Sequence, residues 1–354
     1  MTTTLPLFPA SVVGSLPRPL HVRELIEKPV WDANDERAMD AAIRYAVSMQ
    51  EFAGLDVITD GEWRRRSYIG VIAELAHGFT LEINPADGRP WTVVTEKLAL
   101  KEAGFIAAEA KFLKSVAHAG TKITLPAPGL LGERLWDSER SRKAYPKRED
   151  FVRDCVAPLR REIELMRKIG IDIVQIDDPH LCLFVDPDVR ATYEDPDRAA
   201  DFAVDMTNAL VDGFTGIRFA VHLCRRAGAR VRGEKHHAGT YGPILPQLNR
   251  LKVQHLTMEF TAAGADDLES LGRLRSDFEL GLGVVDVTPG AQEDAQRIVA
   301  RVDRALTCVD AKRITLNPDC GFAPGSAAKV DIDEVFLKLR AEVEAARMLR
   351  ARHR

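Results

Sequence analysis

The sequence predicts an α/β protein, a (β/α)₈ TIM barrel, and three observations carry that expectation. Eight short apolar, β-branched runs recur along the chain, amphipathic stretches separate most of them, and almost every run ends in a polar or ionisable residue. Continuous apolar runs suit parallel strands buried on both faces. Strands that alternate with helices build a parallel sheet, and eight of them close it into a barrel. An open doubly wound sheet is the rival, but no G-x-G-x-x-G follows the first run.

In order, the runs are Ser11–Ser15, Leu55–Asp60, Thr121–Pro126, Ile171–Asp177, Ile217–Cys224, Val253–Glu259, Leu280–Asp286 and Arg313–Asn317. Helical periodicity covers Glu36–Ala53, Phe151–Ile169, Arg198–Asp212, Leu268–Leu274, Glu293–Cys308 and Asp333–Arg347. Residues 61–119 and 128–150 are longer than barrel connections need. The first carries a hairpin signal around Trp91–Thr95 and the second is rich in charge, so both are expected as insertions over the C-terminal face. With no internal repeat and no linker, residues 1–354 read as one domain.

Composition narrows the function classes. A content of 45% hydrophobic and 29% charged residues is ordinary for a globular enzyme. The formal charge of -4 gives no support to a nucleic-acid partner. The start lacks the basic and apolar segments of a signal peptide, and no stretch approaches the roughly 18 apolar residues of a membrane span. Five irregularly spaced cysteines do not form a disulfide framework. The expectation is a cytoplasmic enzyme.

In a barrel, chemistry gathers where strands end on the C-terminal face. Those ends are Gly14–Ser15, Asp60–Glu62, Asp177–Asp178, His222 with Cys224, Glu259, Asp286 and Asp319–Cys320. His222 and Cys224 sit two apart on one strand and so share a face. With Glu259 and Cys320 at other strand ends they make a zinc ligand set. Two thiolates, a carboxylate and an imidazole leave Zn²⁺ electron-rich, a better carrier of thiolate than generator of hydroxide. An incoming thiolate adds negative charge, so one ligand should loosen, and Glu259 is the candidate. Glu62 and Asp177 are placed to bind an ammonium group, and Asp178, before Pro179, shapes a turn. Arg64–Arg66 is read as a solvated basic run, or as the source of one arginine gripping a substrate carboxylate or sulfonate. His236–His237 is read as a surface pair, and Cys155, Cys182 and Cys308 as structural.

The segments Val13–Ser15, Asp56–Glu62, Val174–Pro179, His222-x-Cys224, Met258–Glu259 and Asn317–Gly321 together resemble the catalytic barrel of cobalamin-independent methionine synthase, in order and over nearly the whole chain. The resemblance implies that His222, Cys224, Glu259 and Cys320 ligate zinc. It implies that Ser15, Glu62 and Asp177 hold the amino-acid part of homocysteine, the two acids on its ammonium. The reaction implied is methyl transfer to the thiol, from a methylated folate, a methylcorrinoid protein or another donor. A related alternative is a zinc thiol alkyltransferase of the epoxyalkane–coenzyme M transferase kind, with an arginine of 64–66 on the sulfonate. Two departures stand out. The family's longer form has a second, N-terminal barrel for folate, and this chain looks like the short form. Thr288 stands where the longer form has a histidine, and Trp136 only loosely matches the aromatic expected against a pterin.

Overall fold

A computed structural model of the chain describes residues 5–84, 88–225, 237–261, 267–323 and 330–353. Seven of its strands form one parallel sheet. They are β1 (Val57–Ile58), β4 (Gly120–Pro126), β5 (Ile173–Asp177), β6 (Arg218–Leu223), β7 (His255–Glu259), β8 (Glu279–Val285) and β9 (Ile314–Pro318), paired in that order. Between β1 and β4 the chain makes a separate antiparallel hairpin, β2 (Ala76–Ile83) and β3 (Pro90–Leu100). Ala10 bridges in parallel to Leu316 of β9 and Ser11 to Val57 of β1, which joins the two edges of the sheet into a closed barrel.

The expected first strand, Ser11–Ser15, is therefore reduced to the pair Ala10–Ser11. Beyond Ser11 the chain leaves the backbone ladder, and side chains take over its carbonyls. Val12 accepts from the Lys122 ammonium, Val13 from Gln175 Nε2 at 3.1 Å, and Gly14 from Thr59 Oγ1 at 2.7 Å. These donors reach across the barrel interior, so no buried carbonyl among the three is left without a partner. The helix Ile332–Arg352 latches the closure from outside. Its Glu342 accepts from Ser11 N at 3.0 Å, and its Arg350 donates to Leu7 O, Phe8 O and the Asp56 carboxylate.

Strand β8 carries two inward glycines, Gly281 and Gly283, and neighbouring side chains fill the space they leave. A Cβ on Gly281 would lie 2.4 Å from Asn317 Oδ1 and 2.7 Å from the His255 ring. Across that gap His255 Nε2 meets Thr315 Oγ1 at 2.7 Å. A Cβ on Gly283 would lie 2.4 Å from Asp319 Oδ1. That clearance lets Asp319 accept from Phe260 N at 3.0 Å and Thr261 N at 3.1 Å, tying the end of β9 to the end of β7.

The outer helices follow the predicted periodicity with two instructive differences. The run Phe151–Ile169 is two helices, Arg148–Asp154 and Val156–Ile169, broken at Cys155. Pro158 has no N–H to return to Asp154, and its ring crowds that carbonyl, so the break falls where the chemistry requires it. The stretch 61–119 is only partly an insertion. It contains the hairpin, as expected around Trp91, but also the helix Phe105–Val116, which packs against β4 and Val156–Ile169 as a regular barrel helix. Residues 128–150 hold the helix Pro128–Leu135 and brace the hairpin. Trp91 Nε1 donates to Arg134 O at 2.8 Å, and Ser141 Oγ to Val94 O at 2.6 Å. Among the described residues no helix is long and apolar enough to cross a membrane, and none of the five cysteines is in a disulfide.

Candidate active site

The C-terminal ends of the strands converge as the sequence suggested. His222 lies on β6 directly opposite Asp177 of β5 in register, and its Nδ1 is 3.0 Å from Asp177 Oδ1. The same carboxylate oxygen accepts from Gln175 Nε2 at 2.8 Å, so Asp177 is fixed from below. Cys224 Sγ and Cys320 Sγ stand 3.3 Å apart, although 96 residues separate them in sequence. One ligand atom each from His222, Cys224 and Cys320 falls within 4.8 Å of the others, and all three residues are buried.

The three residues could hold a metal ion, and each is strongly influenced by its neighbours. Burial works against a charge on His222, yet the Asp177 carboxylate at Nδ1 and the neighbouring Cys224 sulfur carry its pKa up to about 10. The adjacent Cys224 sulfur and burial push the Cys320 thiol well above its ordinary range, and the charges of Glu259 and Asp177 add to the shift. His222 Nε2 is buried with no hydrogen-bond partner. A ring whose Nδ1 is held by a carboxylate keeps its Nε2 for a metal, which would take the place of the Nε2 proton on binding. A soft divalent ion fits that donor set.

Glu259 stands apart from the three. It is fully buried at the end of β7, and its Oε2 accepts from the Arg225 main-chain N–H at 2.8 Å. The Tyr241 hydroxyl clasps its main chain, donating to Glu259 O at 2.9 Å and accepting from Glu259 N at 3.0 Å.

The three residues expected to hold an amino acid flank the cluster. Ser15 lies against the Cys320 loop, and a Cβ on Gly321 would come within 2.3 Å of Ser15 Oγ. Phe322 N donates to Ser15 O at 2.9 Å. Glu62 is held in the left-handed region at φ +58, a conformation rare for a residue with a side chain and a mark of over-determined geometry. Arg18 enforces it by donating to Glu62 O at 2.8 Å and Arg65 O at 2.6 Å. Thr124 Oγ1 donates to Glu62 Oε1 at 2.7 Å, and Gly14 is needed because a Cβ there would sit 2.5 Å from that oxygen. Burial raises the Glu62 pKa, Arg65 opposes the rise, and Asp177 reinforces it. A cation beside Glu62 would favour its charged form.

Of the basic run, Arg65 is not solvated. It is 2% exposed, pairs with Glu109 at 2.8 Å and donates to Thr124 Oγ1 at 2.9 Å, which orients the Glu62 partner. Arg64 pairs with Glu36 and Asp40, and Arg66 donates to Ile26 O and Lys28 O. All three guanidiniums are engaged within the protein. Asp178 caps the helix Pro179–Leu183 through Leu181 N. His237 pairs with Asp186 at 2.9 Å, and His236 lies outside the described residues. Trp136 donates its Nε1 to Tyr145 O at 3.0 Å and lines a cleft of about 1760 Å³ that runs from Ala323 to the hairpin. Thr288 N donates to Asp286 Oδ1 at 2.8 Å, and its carbonyl accepts from Lys338 Nζ at 2.7 Å. Sequence reasoning missed Tyr68, whose hydroxyl pKa is raised by burial, with Arg134 opposing and Asp177, Cys320 and Cys224 adding. It missed Thr124, Arg225 and Tyr241 as well. Each comes from a position with no motif of its own.

Comparison with known proteins completes the assignment. The family model described as cobalamin-independent synthase, catalytic domain, matches residues 8–348. The chain belongs to the cobalamin-independent synthase family. That makes it an enzyme of the methyltransferase class. A methionine synthase of Saccharolobus islandicus is 29% identical over 331 residues, covering 90% of this chain and 89% of its own length. Two solved structures share the fold at 22% identity. A B12-independent methionine synthase from Shewanella sp. W3-18-1, in complex with selenomethionine, aligns with a TM-score of 0.80 over 98% of this chain and 99% of its own. A putative vitamin-B12-independent methionine synthase from Listeria monocytogenes aligns with a TM-score of 0.74 over the same shares.

Proposed function

We propose that this member of the cobalamin-independent synthase family is a zinc-dependent methyltransferase that moves a methyl group onto the thiol of homocysteine to give methionine. The observation that carries the reading is the convergence of His222, Cys224 and Cys320 within 4.8 Å around an unpartnered His222 Nε2. These three would hold the ion, with Glu259 as a fourth ligand that yields to the substrate. When bound, zinc would supply the acceptor sulfur as a thiolate near neutral pH, against an ordinary thiol pKa of about 8.5.

The chain's own groups do the rest. Asp177 fixes the His222 tautomer by accepting its Nδ1–H. Ser15 lies where it can position the substrate's amino-acid part, with Glu62 and Asp177 on its ammonium, a charge that relieves their mutual repulsion. The acceptor thiol gives its proton to solvent, its sulfur forms a bond to the methyl carbon in line, and the donor leaves with the electrons of its broken bond. Burial of the cluster keeps competing water from the methyl group. Selenomethionine on the Shewanella protein of like fold supports an amino-acid acceptor of this shape. A methylated folate, a methylcorrinoid protein or another methylated compound would be the donor. Coenzyme M is disfavoured as acceptor because Arg64, Arg65 and Arg66 are already engaged.

The reading is tested by adding homocysteine to zinc-loaded protein and following proton release, then screening donors for methionine formation. Proton release and one productive donor are expected. No proton release and unchanged metal coordination would overturn the proposal.

A further inference from the structure

Among the described residues, Arg225 is a buried charge with little to hold it. Its residue exposure is 0%, and Nε and both terminal nitrogens have no hydrogen-bond partner among the described residues. Its guanidinium lies over the Tyr241 ring at 4.7 Å, a contact that offsets only part of the cost of removing a cation from water. A buried guanidinium persists when some state of the protein brings it an anion.

Its electrostatic neighbours are Tyr241, Cys182, Glu259 and Asp319. The Cys182 thiol is fully buried and its pKa is lifted by burial, so it is neutral. Asp319 is committed to Phe260 N, Thr261 N and Thr261 Oγ1. Glu259 differs, because Tyr241 pins its main chain while its carboxylate already rests on the Arg225 main-chain N–H at 2.8 Å. The Glu259 charge also acts on the Arg225 guanidinium, so the two side chains lie within electrostatic reach of each other.

We propose that Arg225 is a positioning residue that receives the Glu259 carboxylate when an acceptor thiol displaces it from the metal. This rests on the zinc and thiol reading above. Tyr241 serves both partners, presenting its ring face to Arg225 and its hydroxyl to the Glu259 backbone.

The test measures zinc affinity by chelator competition and homocysteine affinity for the zinc-loaded protein, in wild type, Arg225→Met, Arg225→Lys, Glu259→Gln and the Arg225→Met/Glu259→Gln double variant. Arg225→Met is expected to weaken homocysteine binding ~10-fold while zinc binds at least as tightly, the effect being of the size seen for partners of metal ligands. Arg225→Lys should recover most of the loss, and in the Glu259→Gln background Arg225→Met should add nothing. An equal loss in both backgrounds, or no loss in either, would overturn the inference. A wild type that binds no zinc would instead remove the reading on which it rests.

Discussion

Cys320 illustrates how much one residue depends on its surroundings. Its thiol is held protonated by Cys224 at 3.3 Å and by burial, a poor arrangement for two bare thiols and a good one for two thiolates sharing a dication. Cys320→Ser and Cys224→Ser are each expected to reduce bound zinc from about one equivalent to near zero, because a hydroxyl is a far weaker soft-metal ligand. Elemental analysis of each purified variant checks this, and full zinc occupancy in either would remove that residue from the ligand set. His222 and Cys224 were legible in the sequence because the strand period puts alternate residues on one face. Asp177 was legible as a strand end, but its bond to His222 was not, since only the parallel register of β5 and β6 creates it. Arg65 was misread because a run of three arginines gives no sign that its middle member points inward to Glu109 and Thr124.

At the scale of an element, β8 shows why an apolar run can be necessary without being sufficient. Its sequence announced a strand, but the reason for Gly281 and Gly283 appears only when β7 and β9 flank them. Gly283→Ala is expected to push its Cβ into Asp319 Oδ1 and into Met258 O, which a Cβ would approach to 2.6 Å. Overpacking of this kind costs about 1–3 kcal/mol. Urea unfolding should register the loss as a lower midpoint at unchanged slope, and an unshifted midpoint would mean that β8 can move aside. The break at Cys155 was hidden for a different reason. Pro158 was visible, but the apolar periodicity continues through it, and periodicity reports which face is buried rather than whether the axis is straight.

For the whole molecule, eight apolar runs were enough to indicate the barrel, whereas its closure was not legible. Ala10 and Ser11 make two bridges, and the carbonyls beyond them are taken by Lys122, Gln175 and Thr59, so the ordinary strand signal is weak at that point. Lys122 makes this closure sensitive to pH. Burial lowers its pKa from 10.5 to about 8, with Asp177 and Glu342 opposing. Between those values the unfolded chain binds more protons than the folded one, so stability increases as pH climbs from about 8 toward 10.5. The contribution is on the order of 3 kcal/mol. Lys122→Met should lack that rise, and the Tm of wild type relative to the variant should increase across this window. A constant difference would show that Lys122 titrates normally in the fold.

The latch between residues 7–11 and the helix Ile332–Arg352 also sets an order of events during synthesis. Ser11 waits for Glu342, and Leu7 and Phe8 wait for Arg350. A nascent chain that has emerged as far as Cys224 offers two of the three clustered donors, while Cys320 is still unmade. Residues 7–15 and the segment around Cys320 must meet before Ser15 can lie against the Cys320 loop. Any ion held by all three donors could be bound only after residue 320 has been made, and a ribosome stalled before residue 320 would display an open sheet with an incomplete donor set.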